Sequence, residues 1–504
     1  MDAHRFDELR SEIQVQKRLD HPNIAKIIEC FSDADNGCMY IVMELCTGGS
    51  LVQRLEQSGD RLDEATCATV VEKVLSAIHY CHGHGVVHRD IKLDNIMYES
   101  SAEDAEPKLI DFGYACEPDL RPGGAMWEQL GTPSYMAPEL WKSREERRYD
   151  AKVDMWALGV TAYMLLSRKR PWHHADLDEK KKMIQHKPLR FSSGEWSGRS
   201  SEAIDLISWL LQKNPDERPS PSEALAHPWF QTCSSVHTGP DAAHELQRRS
   251  TIVDSLEAFS AADGIAKIAL EVVAFTMPPA KLDELRHVFR KMDTDGSGTL
   301  SLSEFRQAMA LLPEMPPERV EQIFAQMDVA HQGEVDYTEF LAASVAGSSC
   351  LADGECSVRL KHAFGVLDSQ SKGYIDADDV RAACGDGNMS EKSALVMITQ
   401  CSSEGGEGRQ DRVDYQHFRA AVRRSFPMLQ IGAGRHTKKQ HFLVGWLARV
   451  GLLRARRGAS ASRGPLAVRR SHSGVSPAAG AVLDRPRGVQ RQRSSGGRVI
   501  LAVS

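Results

Sequence analysis

The sequence contains no CxxC pair, no apolar run long enough for a membrane span and no apolar segment at its N-terminus. Its first ten residues, MDAHRFDELR, are polar and do not resemble a secretory signal, and Met1 followed by Asp2 excludes N-myristoylation at this start. Eleven cysteines, an odd number, fit neither a disulfide framework nor a zinc site. These absences favour a reducing compartment. We predict a cytoplasmic protein, with the nucleus as the other option.

The charge of the chain is distributed unevenly. A length of 504 residues exceeds what one hydrophobic core usually serves, so two or three domains are expected. The net charge is −7, but residues 427–504 hold fifteen Arg and Lys against one acid, which leaves the first 426 residues at about −21. The Arg, Ser, Gly and Ala bias of this tail predicts disorder, or translated noncoding sequence. Within it, Phe442 to Arg457 is apolar and basic, which leaves open contact with an anionic membrane, a calcium sensor or, nonspecifically, nucleic acid.

Residues 88–95 read HRDIKLDN, and DFG follows at Asp111. Phosphoryl transfer requires a carboxylate beside the attacking hydroxyl, oxygen ligands for Mg²⁺ and cations against the developing charge. Asp90 can orient the hydroxyl, and Lys92 can neutralise phosphate charge. Asn95 and Asp111 can ligate the metal. This pattern resembles the eukaryotic protein kinase family, and the resemblance implies ATP and Mg²⁺ as cofactors.

Further landmarks occur in the order that the kinase family shows. They are GTPSYMAPE at residues 131–139, DMWALG from Asp154, and Arg218 in NPDERP. The resemblance implies that Glu139 pairs with Arg218, that Asp154 braces the catalytic-loop backbone and that Thr132 positions its side chains. It also indicates the serine/threonine branch. The run WALGVTAYMLL at residues 156–166 is apolar all round, which predicts a helix buried in a core.

YIVMEL at residues 40–45 resembles the kinase hinge. The resemblance implies Met43 as gatekeeper and adenine contacts from the backbone of Glu44 and Cys46. Taken alone, the hexapeptide predicts only a buried strand.

The front of the chain departs from the kinase pattern. Glu12 matches the helix glutamate that pairs with a strand lysine at the nucleotide, but no such lysine precedes it and no glycine occurs before Gly37. We expect the first three strands of the N-lobe to be absent, which would leave an apolar sheet edge. Gln16 stands where the family has an apolar residue. Either the chain is incomplete, with a start site inside a longer coding sequence, or it is not a working kinase; we favour the first.

Glu128 lies three residues before Gly131, where many kinases carry an activating phosphothreonine. A fixed carboxylate there could pair with Arg89 and order the loop without phosphorylation. The other interpretation is an idle, solvated loop glutamate.

DTDGSGTLSLSE at residues 293–304 satisfies the EF-hand calcium loop at every diagnostic position. Ca²⁺ prefers six to eight hard oxygen ligands around a glycine turn, here at Gly298. The predicted ligands are Asp293, Asp295, Ser297, the Thr299 carbonyl, Ser301 through water, and Glu304.

Three weaker repeats follow the first loop. Residues 328–339 keep Asp328, Asp336 and Glu339 as ligands of a weak calcium site, but Ala330 occupies a ligand position. Residues 368–379 place the cationic Lys372 in the loop and a short Asp379 at its end, which predicts an impaired site. A fourth unit survives as VDYQHF, with His417 at the terminal ligand position, and is predicted to be a structural partner.

A kinase domain, a junction and four EF-hand units form the layout of calcium-dependent protein kinases of plants and protists, and the resemblance covers roughly residues 6–425. The predicted fold is an α+β kinase-like domain lacking its first N-lobe strands, then an all-α, calmodulin-like EF-hand domain and a disordered basic tail. The predicted segments are 1–230 for the kinase domain, 231–280 for the junction, 281–347 and 348–425 for the two EF-hand pairs, and 426–504 for the tail.

The helical part of the junction, residues 246–275, is expected to act as an autoinhibitory segment. Ile252, Leu256 and Phe259 lie at helical spacing and could dock on an opened EF-hand groove, while residues 248–250, RRS, could mimic a basic substrate. The alternative is an interdomain packing helix.

These patterns predict a calcium-regulated serine/threonine protein kinase that uses ATP, Mg²⁺ and Ca²⁺ and acts on protein Ser or Thr. Asp94 favours a basic residue in the substrate only weakly, because Ser50 stands where many basophilic relatives carry glutamate. The alternative is a catalytically inactive kinase-like calcium sensor. For this chain we expect little or no phosphotransfer, and calcium binding dominated by one site.

Overall fold

The computed structural model describes most of the chain between residues 13 and 427 and two strands near the C-terminus. The described residues are 13–33, 38–57, 59, 62–120, 126–192, 194–234, 252–278, 281–310, 315–329, 332–346, 356–368, 370–383, 390–402, 411–427, 489–493 and 498–503. Two large hydrophobic cores define an N-terminal half, residues 13–234, and a C-terminal half, residues 252–427. A third, small cluster of Ile13, Ile27, Met39 and Ile41 lies in the N-terminal half.

The N-terminal half combines short strands with a large helical lobe. Its strands are β1 (Ile27–Asp33), β2 (Cys38–Glu44), β3 (Ile96–Tyr98) and β4 (Pro107–Leu109). Its helices are α1 (13–17), α2 (Leu51–Gln57), α3 (Glu64–Gly83), α4 (Lys152–Ser167), α5 (Leu177–His186), α6 (Ser201–Leu210), α7 (Pro221–Leu225) and α8 (Pro228–Ser234).

Helix α3 begins where the Asp63 side chain accepts a hydrogen bond from the Thr66 amide, a standard N-cap. Helix α4 is buried along nearly its whole length, as its continuous apolar sequence predicts. Together α3 and α4 form the centre of the N-terminal core. The β3–β4 hairpin packs beside them, so that the segment before β3 and the segment after β4 meet on one side.

Strands β1 and β2 are antiparallel, with Ile27 opposite Met43. On the other edge of β2 lies β10 (Arg498–Val503), also antiparallel, followed by β9 (Val489–Arg493), which gives the order β1-β2-β10-β9. The structure thus describes these two segments of the tail, for which the sequence predicts disorder, as strands. RVILAV is rich in β-branched and apolar residues, which suit a strand that covers an open sheet edge. Residues 428–488 lie outside the described part of the chain.

The C-terminal half is helical. Its helices are α9 (252–260), α10 (Gly264–Phe275), α11 (Asp283–Met292), α12 (Leu302–Met309), α13 (Pro317–Met327), α14 (Tyr337–Val345), α15 (Cys356–Leu367), α16 (Ala377–Ala383), α17 (Glu391–Ser402) and α18 (Tyr415–Ser425). Its strands are β5 (Thr299–Ser301), β6 (Glu334–Asp336), β7 (Tyr374–Ile375) and β8 (Val413–Asp414).

Two miniature sheets join the helix–loop–helix units in pairs. Strand β5 pairs with β6, which links the first and second loops, and β7 pairs with β8, which links the third and fourth. The fourth unit is thus a structural partner of the third, as expected. Helices α9 and α10 lie in the same core, where Leu256 and Phe259 are fully buried. Among the described residues, no helix is long and apolar enough to cross a bilayer.

Candidate functional site

The structure brings the catalytic-loop side chains together around Asp90. The Thr132 hydroxyl and amide donate to Asp90 Oδ1 at 2.8 and 3.1 Å, and the Lys92 ammonium contacts Oδ2. Asn95 Nδ2 donates to the Asp90 carbonyl at 2.9 Å and to Oδ2 at 3.1 Å. The Asp90 carboxylate is therefore buried, but its charge is balanced and its orientation is fixed.

The backbone of the catalytic loop, residues 88–95, is held by Asp154, at the start of α4. Its carboxylate accepts from the amides of His88 and Arg89 at 2.9 and 2.8 Å, as the kinase resemblance implies. Arg89 has φ of 66°, a left-handed conformation that a non-glycine residue adopts only when its surroundings impose it. Burial alone would raise the pKa of Asp154, but its hydrogen bond and proximity to His82 lower it, so the brace stays anionic.

Asp111 follows β4 and faces solvent, and it too has a left-handed φ, of 65°. Its Oδ1 accepts from the Gly113 amide at 3.3 Å, and the neighbouring Phe112 ring packs edge-on against His88. The Ile110 amide donates to the Asn95 carbonyl at 2.9 Å, which ties the two segments together. Both side-chain amide hydrogens of Asn95 are directed at Asp90. The Asn95 Oδ1 atom can therefore serve as a metal ligand. Asn95 and Asp111 thus offer the hard oxygens that Mg²⁺ requires.

The predicted hinge lies at the end of β2. The Glu44 amide donates to the Lys26 carbonyl at 2.9 Å, and its carboxylate pairs with Lys108 at 2.9 Å. The side chain and the amide of Glu44 are thus occupied, which leaves the Glu44 carbonyl and the backbone of Cys46 as the groups that could meet adenine, next to Met43. Burial raises the pKa of the Cys46 thiol to about 12, so it stays protonated.

Two predictions for the front of the chain have different outcomes. Glu12 lies outside the described residues. Gln16 is buried, and its Nε2 donates to the Ala25 carbonyl at 2.8 Å. This hydrogen bond explains how a polar residue is accommodated where the kinase family has an apolar one.

Between DFG and APE, Arg89 Nη1 lies 3.4 Å from Glu128 Oε2 and 3.2 Å from the Tyr149 hydroxyl. The predicted pair of Arg89 and Glu128 is therefore formed. Farther along, Arg218 makes two 2.7 Å hydrogen bonds to Glu139 in a buried, bidentate pair.

The first calcium loop, residues 293–304, gathers its acidic side chains at one point. Oxygens of Asp293, Asp295 and Glu304 all lie within 4.8 Å of one another. Burial, together with the charges of Asp295 and Glu304, raises the pKa of Asp293 to about 7. A cation would relieve that repulsion, so the residues fit Ca²⁺.

The remaining predicted ligands of the first loop lie in the same turn. The Ser297 hydroxyl is 3.3 Å from the Thr299 carbonyl, and the Ser301 hydroxyl donates to Glu304 at 2.8 Å. The Ser301 and Glu304 side chains form a capping box at the start of α12.

In the second loop, Asp328 accepts from the Gln332 and Gly333 amides at 2.8 Å each, and Glu339 accepts from the Asp336 amide at 2.9 Å. Asp328 and Glu339 thus bind the loop backbone at its two ends, but among the described residues these three predicted ligands do not form a cluster of converging oxygens like that of the first loop. Burial and the neighbouring carboxylates, Asp20 first among them, raise the pKa of Asp336 to about 8. Ala330 lies outside the described residues.

Sequence patterns missed residues of the N-terminal half that contact the calcium loops. Asp20 accepts from the amide and the hydroxyl of Thr338, at 2.6 and 2.8 Å, and Ser76 donates to the Gly296 carbonyl at 3.0 Å. These residues belong to no motif and contact the loops only through the tertiary fold, so no local signal could have identified them.

Comparison with known proteins agrees with this arrangement. Residues 1–230 match the family model of the protein kinase domain, and residues 281–344 match that of the EF-hand domain pair. Calcium-dependent protein kinase 5 of Plasmodium falciparum (isolate 3D7) is 29% identical over 415 residues, covering 82% of this chain and 70% of the relative. Calcium-dependent protein kinase 11 of Oryza sativa subsp. japonica is 30% identical over 415 residues, covering 82% and 68%.

A third relative, calcium-dependent protein kinase 9 of Arabidopsis thaliana, is 29% identical over 426 residues, covering 84% of this chain and 74% of the relative. The matches extend through both halves of the chain and confirm the predicted fold class of a kinase-like domain followed by a helical EF-hand region. The chain belongs to the calcium-dependent protein kinase family and is, by family, a serine/threonine protein kinase.

Proposed function

We propose that this protein is a calcium-controlled kinase that transfers the γ-phosphoryl group of ATP to Ser or Thr of protein substrates, and that the chain as given does so weakly, because its sequence lacks the glycine-rich loop and the strand lysine. The observation that carries the proposal is the geometry around Asp90. Its carboxylate is buried and is held by Lys92, Thr132 and Asn95. Asp154 in turn holds the backbone of the catalytic loop through the His88 amide. Such a fixed carboxylate suits the task of orienting an attacking hydroxyl, which requires position more than covalent chemistry.

Each neighbour has a proposed role. Lys92 balances the charge of Asp90 and lies where a transferring phosphoryl group would develop negative charge. Thr132 fixes the orientation of the carboxylate, and Asn95 with Asp111 would hold Mg²⁺. When bound, Mg²⁺ would screen the phosphate charge, while the backbone of Glu44 and Cys46 would position adenine.

Substitution of Asp90 tests the catalytic half of the proposal. In the full chain, Asp90→Asn should abolish calcium-stimulated transfer of labelled phosphate to a Ser/Thr peptide, while calcium binding measured by calorimetry should stay unchanged. Asp104→Asn, in the exposed turn between β3 and β4, is the matched control and should transfer phosphate as the unmodified chain does. Transfer that Asp90→Asn leaves unchanged would contradict the role of Asp90, and a complete absence of transfer by the unmodified chain would support the alternative, a kinase-like calcium sensor.

The pair of Arg89 and Glu128 supports a loop that needs no activating phosphate. The Glu128 carboxylate lies at the guanidinium that a phosphothreonine would otherwise meet, and Tyr149 completes the contact by donating to the Glu128 carbonyl at 3.0 Å. Glu128→Ala should lower the turnover number, whereas Glu128→Asp should retain part of it. Equal activity in all three proteins would show that Glu128 is an idle surface residue.

The junction supports calcium control. Helix α10 packs against the EF-hand helices α14, α15, α17 and α18, and Ile252, Leu256 and Phe259 of α9 are buried in the same core. In this arrangement the EF-hand units hold the junction, as the release of an autoinhibitory segment requires. The RRS segment, residues 248–250, lies outside the described residues. A chain ending at Phe230 should transfer phosphate without calcium; a calcium requirement in that chain would contradict autoinhibition.

A basic substrate preference has weaker support. Asp94 is exposed beside the catalytic loop, where it could attract an Arg or Lys of the substrate. Asp94→Asn should raise KM for a basic peptide more than for a neutral one.

A further inference from the structure

The first calcium loop is not free in solution but is packed against helix α3 of the N-terminal half. The Ser76 hydroxyl, on α3, donates to the carbonyl of Gly296, inside the loop, at 3.0 Å. Gly298 is equally close, because a Cβ added there would lie 2.3 Å from His21 Cδ2. Both glycines have positive φ, of 69° and 83°, so the loop meets this surface at its two most tightly turned residues.

The contact continues as a directed hydrogen-bond chain into the N-terminal half. The Asn23 amide donates to His21 Nδ1 at 3.0 Å, so the ring proton is on Nε2, which donates to Ser76 Oγ at 3.0 Å. The Ser76 proton is then directed at Gly296. His21 is fully buried, and this burial, together with the charge of Arg290, holds its pKa well below the usual range, in keeping with a neutral ring.

The Gly296 carbonyl belongs to the peptide group that positions two of the predicted calcium ligands. It shares one peptide group with the Ser297 amide, which donates to Asp293 Oδ1 at 3.0 Å and to Asp295 Oδ1 at 2.9 Å. One side of this peptide is therefore held by Ser76, and the other side holds two of the predicted calcium ligands. Since the Gly296 carbonyl is not itself among those ligands, Ser76 can fix it without competing with calcium.

Ion pairs around this contact hold the two halves together. Arg286, on α11, makes two 3.0 Å hydrogen bonds to Glu99, and both side chains are buried. Arg290, one turn later, donates to Glu106 at 2.7 Å. Because α11 leads directly into the first loop, these pairs fix the position of the loop relative to α3.

We propose that the chain of His21, Ser76 and Gly296 shapes the first calcium loop for binding, so that residues of the kinase domain set the calcium affinity of this EF-hand. Ser76 and His21 are positioning residues, not calcium ligands. The proposal rests on the proposed calcium binding by residues 293–304. By linkage, calcium in this loop strengthens the docking of the C-terminal half by the same factor that docking strengthens calcium binding.

Calcium titration of the full chain by calorimetry tests the proposal. Ser76→Ala should bind calcium about fivefold more weakly at the first loop, the loss expected for one hydrogen bond that contributes about 1 kcal/mol. Ser76→Thr keeps the hydroxyl and should stay within about twofold of the unmodified chain. The matched control is Ser208→Ala, since Ser208 also donates to a backbone carbonyl, that of Ile204, but lies on α6; the calcium affinity of this variant should not change.

A second variant acts at a distance from the loop. Glu99→Gln weakens the pair with Arg286 without touching Ser76, and should weaken calcium binding in the same direction. In that background Ser76→Ala should cost less than it does alone, because a loop that docks less often gains less from the hydroxyl.

The outcomes separate this proposal from the proposed calcium binding. If Ser76→Ala and Glu99→Gln bind calcium as tightly as the unmodified chain while Glu304→Ala loses the site, the influence of the kinase domain is refuted and calcium binding stands. If the unmodified chain shows no binding at the first loop, both are refuted.

Discussion

The first and third loops of the EF-hand region share a backbone turn but differ in charge balance. In each, an aspartate at the first position accepts hydrogen bonds from loop amides, Asp293 from Gly298 at 3.0 Å and Asp368 from Gly373 at 2.7 Å. Both glycines have φ near +83°. The first loop, however, directs several carboxylates at one point, whereas the third contains Lys372.

The Lys372 ammonium lies 2.7 Å from Asp379, the terminal residue of the third loop, and also contacts Asp376. Burial slightly opposes its charge, but the hydrogen bonds to these two carboxylates raise the pKa of Lys372. The third loop thus carries its own cation, and the first loop needs one from solution. The EF-hand turn therefore does not by itself specify a calcium site. The charge of one side chain, Lys372 in the third loop, decides whether the loop carboxylates are available to bind calcium.

The largest expected effect is the loss of calcium binding by the first loop, which would make it like the third. Glu304→Ala deletes the residue predicted to supply two ligand oxygens, so calcium affinity at the first loop should fall by at least about a hundredfold in calorimetric titration. Asp379→Ala, the equivalent change in the third loop, should leave the number of bound calcium ions unchanged. Equal losses in the two variants would contradict the comparison.

A smaller expected effect is a gain of calcium binding by the third loop. Lys372→Ser removes the internal cation and should create a calcium site with a dissociation constant of about 10⁻⁴ to 10⁻³ M, visible as additional heat in the same titration. Combination with Asp379→Glu restores the longer terminal carboxylate and should tighten that site further. Lys372→Arg keeps the cation and should bind no additional calcium. A double variant without a new site would show that Lys372 is not what blocks the loop.

Acid should affect the first EF-hand pair before the second, because the ion pair of Arg290 and Glu106 anchors the first pair to the kinase domain. Burial alone would raise the pKa of Glu106, but the hydrogen bonds and charges of Arg290 and Lys73 lower it well below its usual range. A carboxylate with a lowered pKa stabilises the folded state above the unfolded pKa of about 4.3 and loses that contribution as the pH falls further.

Docking should therefore weaken by about 1 to 2 kcal/mol below pH 4, measured as faster amide hydrogen exchange in α11 with little change in α18. Glu106→Gln should flatten this pH dependence. An equal acid response of both helices would indicate general unfolding instead.

The smallest expected effect concerns stability without calcium. Lys372→Ser leaves the third-loop carboxylates facing one another, so the free energy of unfolding in a calcium chelator should fall, but only by about 1 kcal/mol, because the side chains of Lys372 and Asp376 keep 18% and 29% of their surface exposed to solvent. Urea denaturation monitors the change, with Lys182→Ser on exposed helix α5 as the control for loss of a surface ion pair. A larger fall than this would mean that Lys372 supports the fold beyond its loop.

The sequence predicted what is local in the chain. Asp90 and Asn95 lie within one short motif, and the calcium ligands lie within twelve consecutive residues, so spacing alone groups them. The pair of Glu139 and Arg218 joins distant residues, and only the resemblance to kinases could predict it.

The remaining contacts depend on tertiary placement. Ser76 and Gly296 are 220 residues apart, and Arg286 and Glu99 are 187 apart, without a shared motif. These residues meet only because the two halves, each with its own hydrophobic core, dock in a particular orientation. Sequence periodicity does not predict that orientation. Strand β10 was missed for another reason, because the composition of the surrounding tail masks a short apolar run.

The hydrogen bonds of Asp20 to Thr338 have a consequence for the order of folding. Thr338 lies in the first turn of α14, where backbone amides have no partner inside the helix, and Asp20 supplies an acceptor from 318 residues earlier in the chain. During synthesis the N-terminal residues emerge first and domains generally fold as units. Asp20 has then already been made when α14 leaves the ribosome, so the new helix completes its first turn against a surface that precedes it in the chain.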